Sequence, residues 1–206
     1  MKPMLLAKSE TLILNDGWTL ELKFDGIRAV LHMNDGQAKI ETRNEKDITV
    51  SFPEIEQAAQ RMFGDNGPEN LILDGEIIGY NSNGVQKLNF VQHRLGVLDP
   101  SKIRERQKLY PVLFVVFDVL EAGGRKLYDR PLTYRREVLA SLIPDELNRI
   151  VMAQSFPVNK MNQLWSFITE QNMEGLVAKR KESKYYPGTR SPQWLKIKHH
   201  KMRVKI

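Results

Sequence analysis

Alternating apolar and polar residues divide the chain into short strand-like and helix-like stretches. From Thr19 to Val30, Leu20, Leu22 and Phe24 alternate with Glu21, Lys23 and Asp25, the period-two pattern of a half-buried strand. Ala38 to Arg43 is set to pair with it, because Asn34-Asp35-Gly36 between them is a turn signal. Ser51, Pro53 and Glu54 read as the N-cap, first-turn proline and capping-box acid of a helix over Phe52 to Phe63. Leu71 to Tyr80 reads as a strand and Asn81 to Gly84 as a turn. Leu88, Val91, Leu95 and Leu98 recur at helical spacing, and Ser101 to Leu109 reads as a basic helix. Val112 to Leu120, apolar until an acid near its end, suits a fully buried strand. Thr133 to Ile143 reads as a helix stopped by Pro144. Asn159 to Asn172 reads as another, with Met161, Leu164, Trp165 and Ile168 on one face. Gly175 to Arg180 and Trp194 to Lys198 read as short strands around a turn-rich loop. There is no regular βαβ alternation and no internal repeat. The pattern predicts one α+β unit with mainly antiparallel sheets.

Composition narrows what such a unit does. The 206 residues are 41% hydrophobic and 27% charged, as in a globular protein. The longest purely apolar run, Val112 to Phe117, is too short to cross a bilayer. Met1 to Glu10 lacks the apolar stretch of a signal peptide, so no membrane partner is expected. The absence of cysteine excludes disulfides, thiolate catalysis and Cys-based zinc sites, and fits a reducing compartment. The net charge of +6 is uneven: Lys179 to Ile206 holds ten Lys/Arg and one acid, a net of +9, against −3 for the rest. That asymmetry points to a polyanionic partner, with a solvated basic tail as the bland alternative. Neither G-x-G-x-x-G nor G-x-x-x-x-G-K-[ST] occurs, which argues against Rossmann and P-loop nucleotide sites.

Six segments carry candidate chemistry. In Glu21-Leu22-Lys23-Phe24-Asp25-Gly26-Ile27-Arg28, strand periodicity puts Lys23 on one face with two acids. Alone, that is a surface ion-pair ladder of little worth. Thr42-Arg43-Asn44 follows. Leu73-Asp74-Gly75-Glu76 and Glu174-Gly175 set acids at apolar strands, where they are either structural caps or ligands of a hard cation. Phe117 offers a ring on which a base can stack. Lys196 and Lys198 share a strand face and repel each other unless an anion lies between them.

Taken in order, these segments resemble the collinear motifs of the covalent nucleotidyltransferases, the polynucleotide ligases and mRNA capping enzymes. Within that superfamily the chain is most similar to ATP-dependent DNA ligases, especially compact bacterial and phage ligases and bacterial end-joining modules. Pro3-Met4-Leu5-Leu6-Ala7, Gln92-His93-Arg94-Leu95, Pro131-Leu132 and Arg135 add to the likeness. The resemblance implies a nucleotidyltransferase (ATP-grasp-like) fold at 1–198. Residues 199–206 would begin a linker to an OB-fold that this sequence does not hold. It also implies that Lys23 attacks the ATP α-phosphate to form lysyl-AMP, whose AMP then passes to the 5′-phosphate of nicked double-stranded DNA; as an adenylation domain without the OB-fold, the chain would perform self-adenylation and nick sealing weakly. Asp25, Lys196 and Lys198 would assist. A free lysine has a pKa of about 10.4, so a neutral Lys23 would need burial or nearby cations such as Lys196 and Lys198. Glu21, Arg28, Glu76 and Phe117 would hold the nucleotide, and Glu174 with Glu76 would hold Mg2+ (or Mn2+). Arg43 and Arg190 would grip the nicked strand.

Such a protein would be a cytoplasmic, nucleoid-associated monomer serving DNA repair, recombination or replication. An RNA ligase, a capping-type guanylyltransferase and a non-catalytic nick-binding module share parts of this pattern and remain as alternatives. Blander readings fall to Asp74 as a turn cap, His93 as a helix-surface residue, and Trp194, Met161 and Trp165 as core. Lys179 reads as structural, because it lies five residues from Glu174 and so faces the other side of a regular strand. His199 and His200 read as solvated.

Overall fold

Two sheets carry the fold, and the chain passes from one to the other just after Lys23. In the computed structural model, the described residues are 1–8, 14–64, 67–143 and 149–199. In chain order the first elements are β1 (Leu5–Lys8), β2 (Trp18–Lys23), β3 (Ile27–Asn34), β4 (Gln37–Thr42), α1 (Pro53–Phe63) and β5 (Leu71–Gly79). Then come α2 (Leu88–Arg94), α3 (Pro100–Leu109), β6 (Val112–Ala122), β7 (Arg125–Lys126) and α4 (Leu132–Leu142). The chain continues with β8 (Ile150–Met152), β9 (Ser155–Pro157), α5 (Met161–Glu170), β10 (Gly175–Arg180) and β11 (Arg190–Lys198). The first sheet has the order β1-β11-β10-β2-β9, and the second has the order β4-β3-β5-β6-β7, with β8 beside β6. Every pairing is antiparallel except β1 with β11 and β6 with β8, so the architecture is α+β as the sequence predicts.

Alternation along the strands explains the layering. On β6, Phe114 and Val116 enter a core shared with α1 and α4, through Ile55, Phe63, Leu139 and Ile143. Its other face sends Val115 and Phe117 into a second core between the sheets, with Met4, Tyr185 and Trp194. Burial on both faces is why this segment reads as an unbroken apolar run. On β10, Leu176 and Ala178 pack under Leu164 and Ile168 of α5 in a third core. Val177 and Lys179 therefore face inward, toward the second sheet.

Four expectations are corrected. The strand read over Thr19 to Val30 is two strands in different sheets, broken at Phe24-Asp25-Gly26. The break packs tightly: a Cβ on Gly26 would lie 2.2 Å from the Ile77 carbonyl oxygen. Ser51 does not cap α1; Phe52 occupies that position without a side-chain cap, and Ser51 closes a one-turn 3-10 helix (Thr49–Ser51). Glu54 instead binds the buried Arg94 guanidinium at 2.7 and 2.8 Å, a charge-assisted fork stronger than a capping bond. The helix read through Leu98 ends at Arg94; Leu95 is extended and Leu98 is exposed. β11 begins at Arg190, four residues before the strand read from Trp194. Pro144, His200 and the linker over 200–206 lie outside the described residues. Among the described residues, no helix is long and apolar enough to cross a membrane.

Candidate active site

Register across β2, β10 and β11 stacks the candidate residues in rows. Lys23, Gly175 and Lys198 pair across the three strands, as do Glu21, Val177 and Lys196, and then Thr19, Lys179 and Trp194. Glu174 precedes the first row and lies between its two lysines: Lys23 Nζ and Lys198 Nζ each donate to one of its carboxylate oxygens at 2.7 Å. Burial alone would raise the Glu174 carboxyl, but hydrogen bonds from Lys198 and Lys23 outweigh it and hold the carboxyl below its usual value. Gly175 makes this possible. Its φ is 141°, and a Cβ there would meet the Ile197 carbonyl oxygen at 2.0 Å.

A narrow cleft of about 40 Å3 opens between the sheets beside Lys23. Leu6, Phe117, Val177 and Trp194 form its apolar walls, and Glu21, Lys23, Arg28, Glu76 and Lys179 supply its charges. An apolar pocket with a few convergent polar groups is the usual form of a small-molecule site. Lys179 Nζ donates to Glu21 at 2.6 Å and lies 4.4 Å from the Phe117 ring and 4.2 Å from the Trp194 ring. Burial pushes the Lys179 amine down, against the pull of Glu21 and Asp118. Arg136 reaches Glu21 from α4 at 3.2 Å. Arg28 donates to both oxygens of the fully buried Asp74 at 2.6 and 2.7 Å, and the Tyr185 hydroxyl donates to Asp74 at 2.6 Å. The Arg28 guanidinium lies 4.5 Å from the centre of the Phe117 ring. Burial pushes the Glu76 carboxyl up to about 7, although Arg28 and Lys23 draw it down. The cleft adjoins a wider groove of about 600 Å3, bordered by Asp25, Gln86, Phe167, Met173, Glu174 and Lys198.

The fold thus gathers Glu21, Lys23, Arg28, Glu76 and Phe117 around one cleft, with Glu174, Lys198 and Asp25 at the groove beside it. Lys196 sits within electrostatic reach of Lys23, Lys198 and Arg190; burial, then these cations, push its amine down. Arg43 lies outside both clefts, exposed in the turn after β4. Arg190 is exposed at the start of β11 and donates to the Leu6 carbonyl. Asp74 does not cap a turn; it anchors Arg28. The sequence reading misses Lys179, Leu6 and Arg136. Counting along a regular strand from Glu174 puts Lys179 on the far side, but Glu174 precedes β10 and Gly175, at a φ of 141°, breaks the strand geometry between them. Trp194, read as core, is both buried core and cleft wall. His199, read as solvated, is half-buried against Trp165 and Thr169.

Among the described residues, no three His, Asp or Glu side chains converge as a ready metal centre. Two carboxylates, Glu76 and Glu174, face the cleft region, and both oxygens of Glu174 are engaged by lysines. That set suits Mg2+ only as an ion arriving on substrate phosphates, the way it commonly binds.

The profile of the ATP dependent DNA ligase domain family matches residues 3–198. The SPbeta prophage-derived DNA ligase-like protein LigB of Bacillus subtilis is 32% identical over 199 residues, covering 96% of this chain and 67% of that protein. The bifunctional non-homologous end joining protein LigD of the same organism is 32% identical over 193 residues, covering 89% of this chain and 32% of that protein. Among solved structures, a mycobacterial DNA ligase D complexed with ATP and MES superimposes with a TM-score of 0.76 at 26% identity. That match covers 96% of this chain and 60% of the other. The chain therefore spans about two thirds of the first relative and about a third of the second.

Proposed function

Because the chain belongs to the ATP dependent DNA ligase domain family, we propose that it adenylates itself on Lys23 and passes the AMP to a nicked DNA duplex. The observation that carries this reading is the row in which Glu174 bridges Lys23 and Lys198 beside the cleft. Lys23 leaves Glu174, gives its proton to solvent water, and its Nζ lone pair attacks the α-phosphorus of ATP. A nitrogen–phosphorus bond forms as the bond to the oxygen bridging the α- and β-phosphorus breaks, and pyrophosphate leaves with that electron pair. Lys198, released from Glu174, and Lys196 offset the charge that builds on the α-phosphate. Phe117 and Trp194 give the base an apolar slot, Glu21 accepts from its amino group, and Glu76 and Arg28 face the sugar and phosphate side. A divalent cation, Mg2+ or Mn2+, bound through the nucleotide's phosphates and Glu76 or Glu174, would add further neutralisation. An oxygen of the nick's 5′-phosphate then attacks the phosphorus of the lysyl adduct, the nitrogen–phosphorus bond breaks and Lys23 takes up a proton from solvent. The 3′-hydroxyl next gives its proton to solvent and attacks the 5′-phosphate, and AMP leaves with the electron pair of the bond that joined it. Asp25 orients groups at the mouth of the groove, while Arg43 and Arg190 hold the strand. We assign the protein as a monomer acting in the cytoplasm on nucleoid DNA.

Incubation with ATP and measurement of intact mass tests this reading. The chain should gain one AMP, lose it on addition of pyrophosphate, and take none as Lys23→Ala. An undiminished adduct in Lys23→Ala, or an adduct formed from GTP and not ATP, would show that the reading is wrong.

A further inference from the structure

Arg136 does not line the cleft, yet it holds a residue that does. It stands on α4, which packs against β6 of the second sheet, and its side chain is 13% exposed. One arm of its guanidinium donates to Glu21 Oε1 at 3.2 Å, and the other donates to the Ala153 carbonyl at 2.6 Å. Ala153 lies between β8 of the second sheet and β9 of the first, and Glu21 on β2 pairs with Ser155 of β9. The guanidinium thus ties the back of the cleft to the point where the chain passes between the sheets. Glu21 is buried, and its other oxygen, Oε2, accepts from Lys179 at 2.6 Å. These are the two ion pairs of Glu21 among the described residues. A carboxylate held by one cation turns freely about its last side-chain bond, which has a broad torsional preference. A cation on each oxygen fixes the plane. The lone pairs left over can only accept. Without Arg136, Glu21 is free to turn wholly onto Lys179.

We infer that Arg136 is a positioning residue for the base: by fixing the plane of Glu21, it aims a free lone pair at the 6-amino group of a purine and so selects for that group. The inference rests on the adenylation reading for placing the base against Glu21. A 6-amino group donates, whereas a purine without it offers Glu21 nothing to accept. A site built to accept from a substrate N–H discriminates against the analogue lacking it, because its own polar group is then left unpaired. Arg136 acts through Glu21 and not on the phosphates, so its removal should be felt at one position of the nucleotide only.

The test compares the parent chain with Arg136→Ala and Arg136→Gln. The probes are ATP and purine riboside triphosphate, which carries hydrogen in place of the 6-amino group. Gln keeps a donor for the Ala153 carbonyl but removes the cation, so it decides the matter where Arg136→Ala does not fold. Nucleotide uptake, followed by intact mass over a concentration series, gives a KM for each probe. The parent should prefer ATP. The variants should raise KM for ATP about tenfold, the cost of misaligning a hydrogen bond to a charged group, and move KM for the analogue by less than about twofold. A rise of equal size for both probes would make Arg136 a structural brace between the sheets and overturn the inference. So would unchanged values for both, or a parent that does not distinguish the probes. Should the parent bind nucleotide but take up no AMP, the adenylation reading fails, and the same ratio read as Kd by calorimetry decides the role of Arg136. A parent that binds neither probe overturns both.

Discussion

Replacing Glu76 by Gln separates the stability of the cleft from its chemistry. Burial pushes the Glu76 carboxyl from 4.5 to about 7, with Arg28 and Lys23 acting against the shift and Asp74 and Glu174 with it. An acid with a raised folded pKa holds its proton in the folded state over a window where the unfolded chain has released it. Stability therefore falls as pH rises through the unfolded value, and the full penalty is present above about 7. At about 1.36 kcal/mol per pH unit, the displacement sets an upper bound of about 3.4 kcal/mol. Solvent at the mouth of the cleft screens the charge, so a gain of about 1–2 kcal/mol is the expected size. Gln has nearly the shape of the protonated acid. Glu76→Gln should accordingly be more stable than the parent at pH 8, and the gap should narrow steadily toward pH 5. Urea unfolding at pH 5, 6, 7 and 8, with free energies extrapolated to water, measures it. The same variant should take up AMP more slowly at pH 8, because it lacks the carboxylate. A variant less stable than the parent by the same amount at every pH would refute the reasoning, since it would mean that Glu76 contributes packing and hydrogen bonds but no buried charge.

Gly175→Ala should lose at least about 2–3 kcal/mol, from a strained φ and a clash with the Ile197 carbonyl, and should take up AMP more slowly. Denaturation midpoint and AMP uptake measured on one preparation check both. Arg135 and Asp118 form a fully buried pair at 2.7 Å. Arg135→Ala should therefore cost about 3–5 kcal/mol, because Asp118 is left charged and unpaired. Asp118→Asn in the Arg135→Ala background should recover part of that loss, read by chemical denaturation.

How far the sequence could be read depended on whether a signal was local. β5, β6 and α4 were legible because their periodicity and breakers lie within each segment. The break after Lys23 was not, because Leu20, Leu22 and Phe24 alternate straight through it. Its cause is the approach of Gly26 to Ile77 on another strand. The capping box at Ser51 and Glu54 was a valid local pattern overridden by Arg94, which becomes a competitor only once α2 packs nearby. In the site, Lys23, Glu76 and Glu174 were legible from acid–glycine and lysine motifs in order. Lys179 was misread because the left-handed Gly175 disturbs the strand from which the count began. The parallel pairing of β1 with β11 carried no local signal at all, because the two strands meet only in the folded chain.

That pairing has a consequence for when the site comes into being. The cleft's first sheet joins β1 and β2, near the start of the chain, to β10 and β11, near its end. Contacts between such distant segments form late, after the entropy of closing a long loop has been overcome. During synthesis, β3 to β6 have what they need to fold against one another while Lys23 still lacks Glu174, Lys196 and Lys198. On the adenylation proposed above, a partly made chain would thus carry its nucleophile without the groups that activate it, and uptake of AMP would begin only once the later strands have joined the sheet.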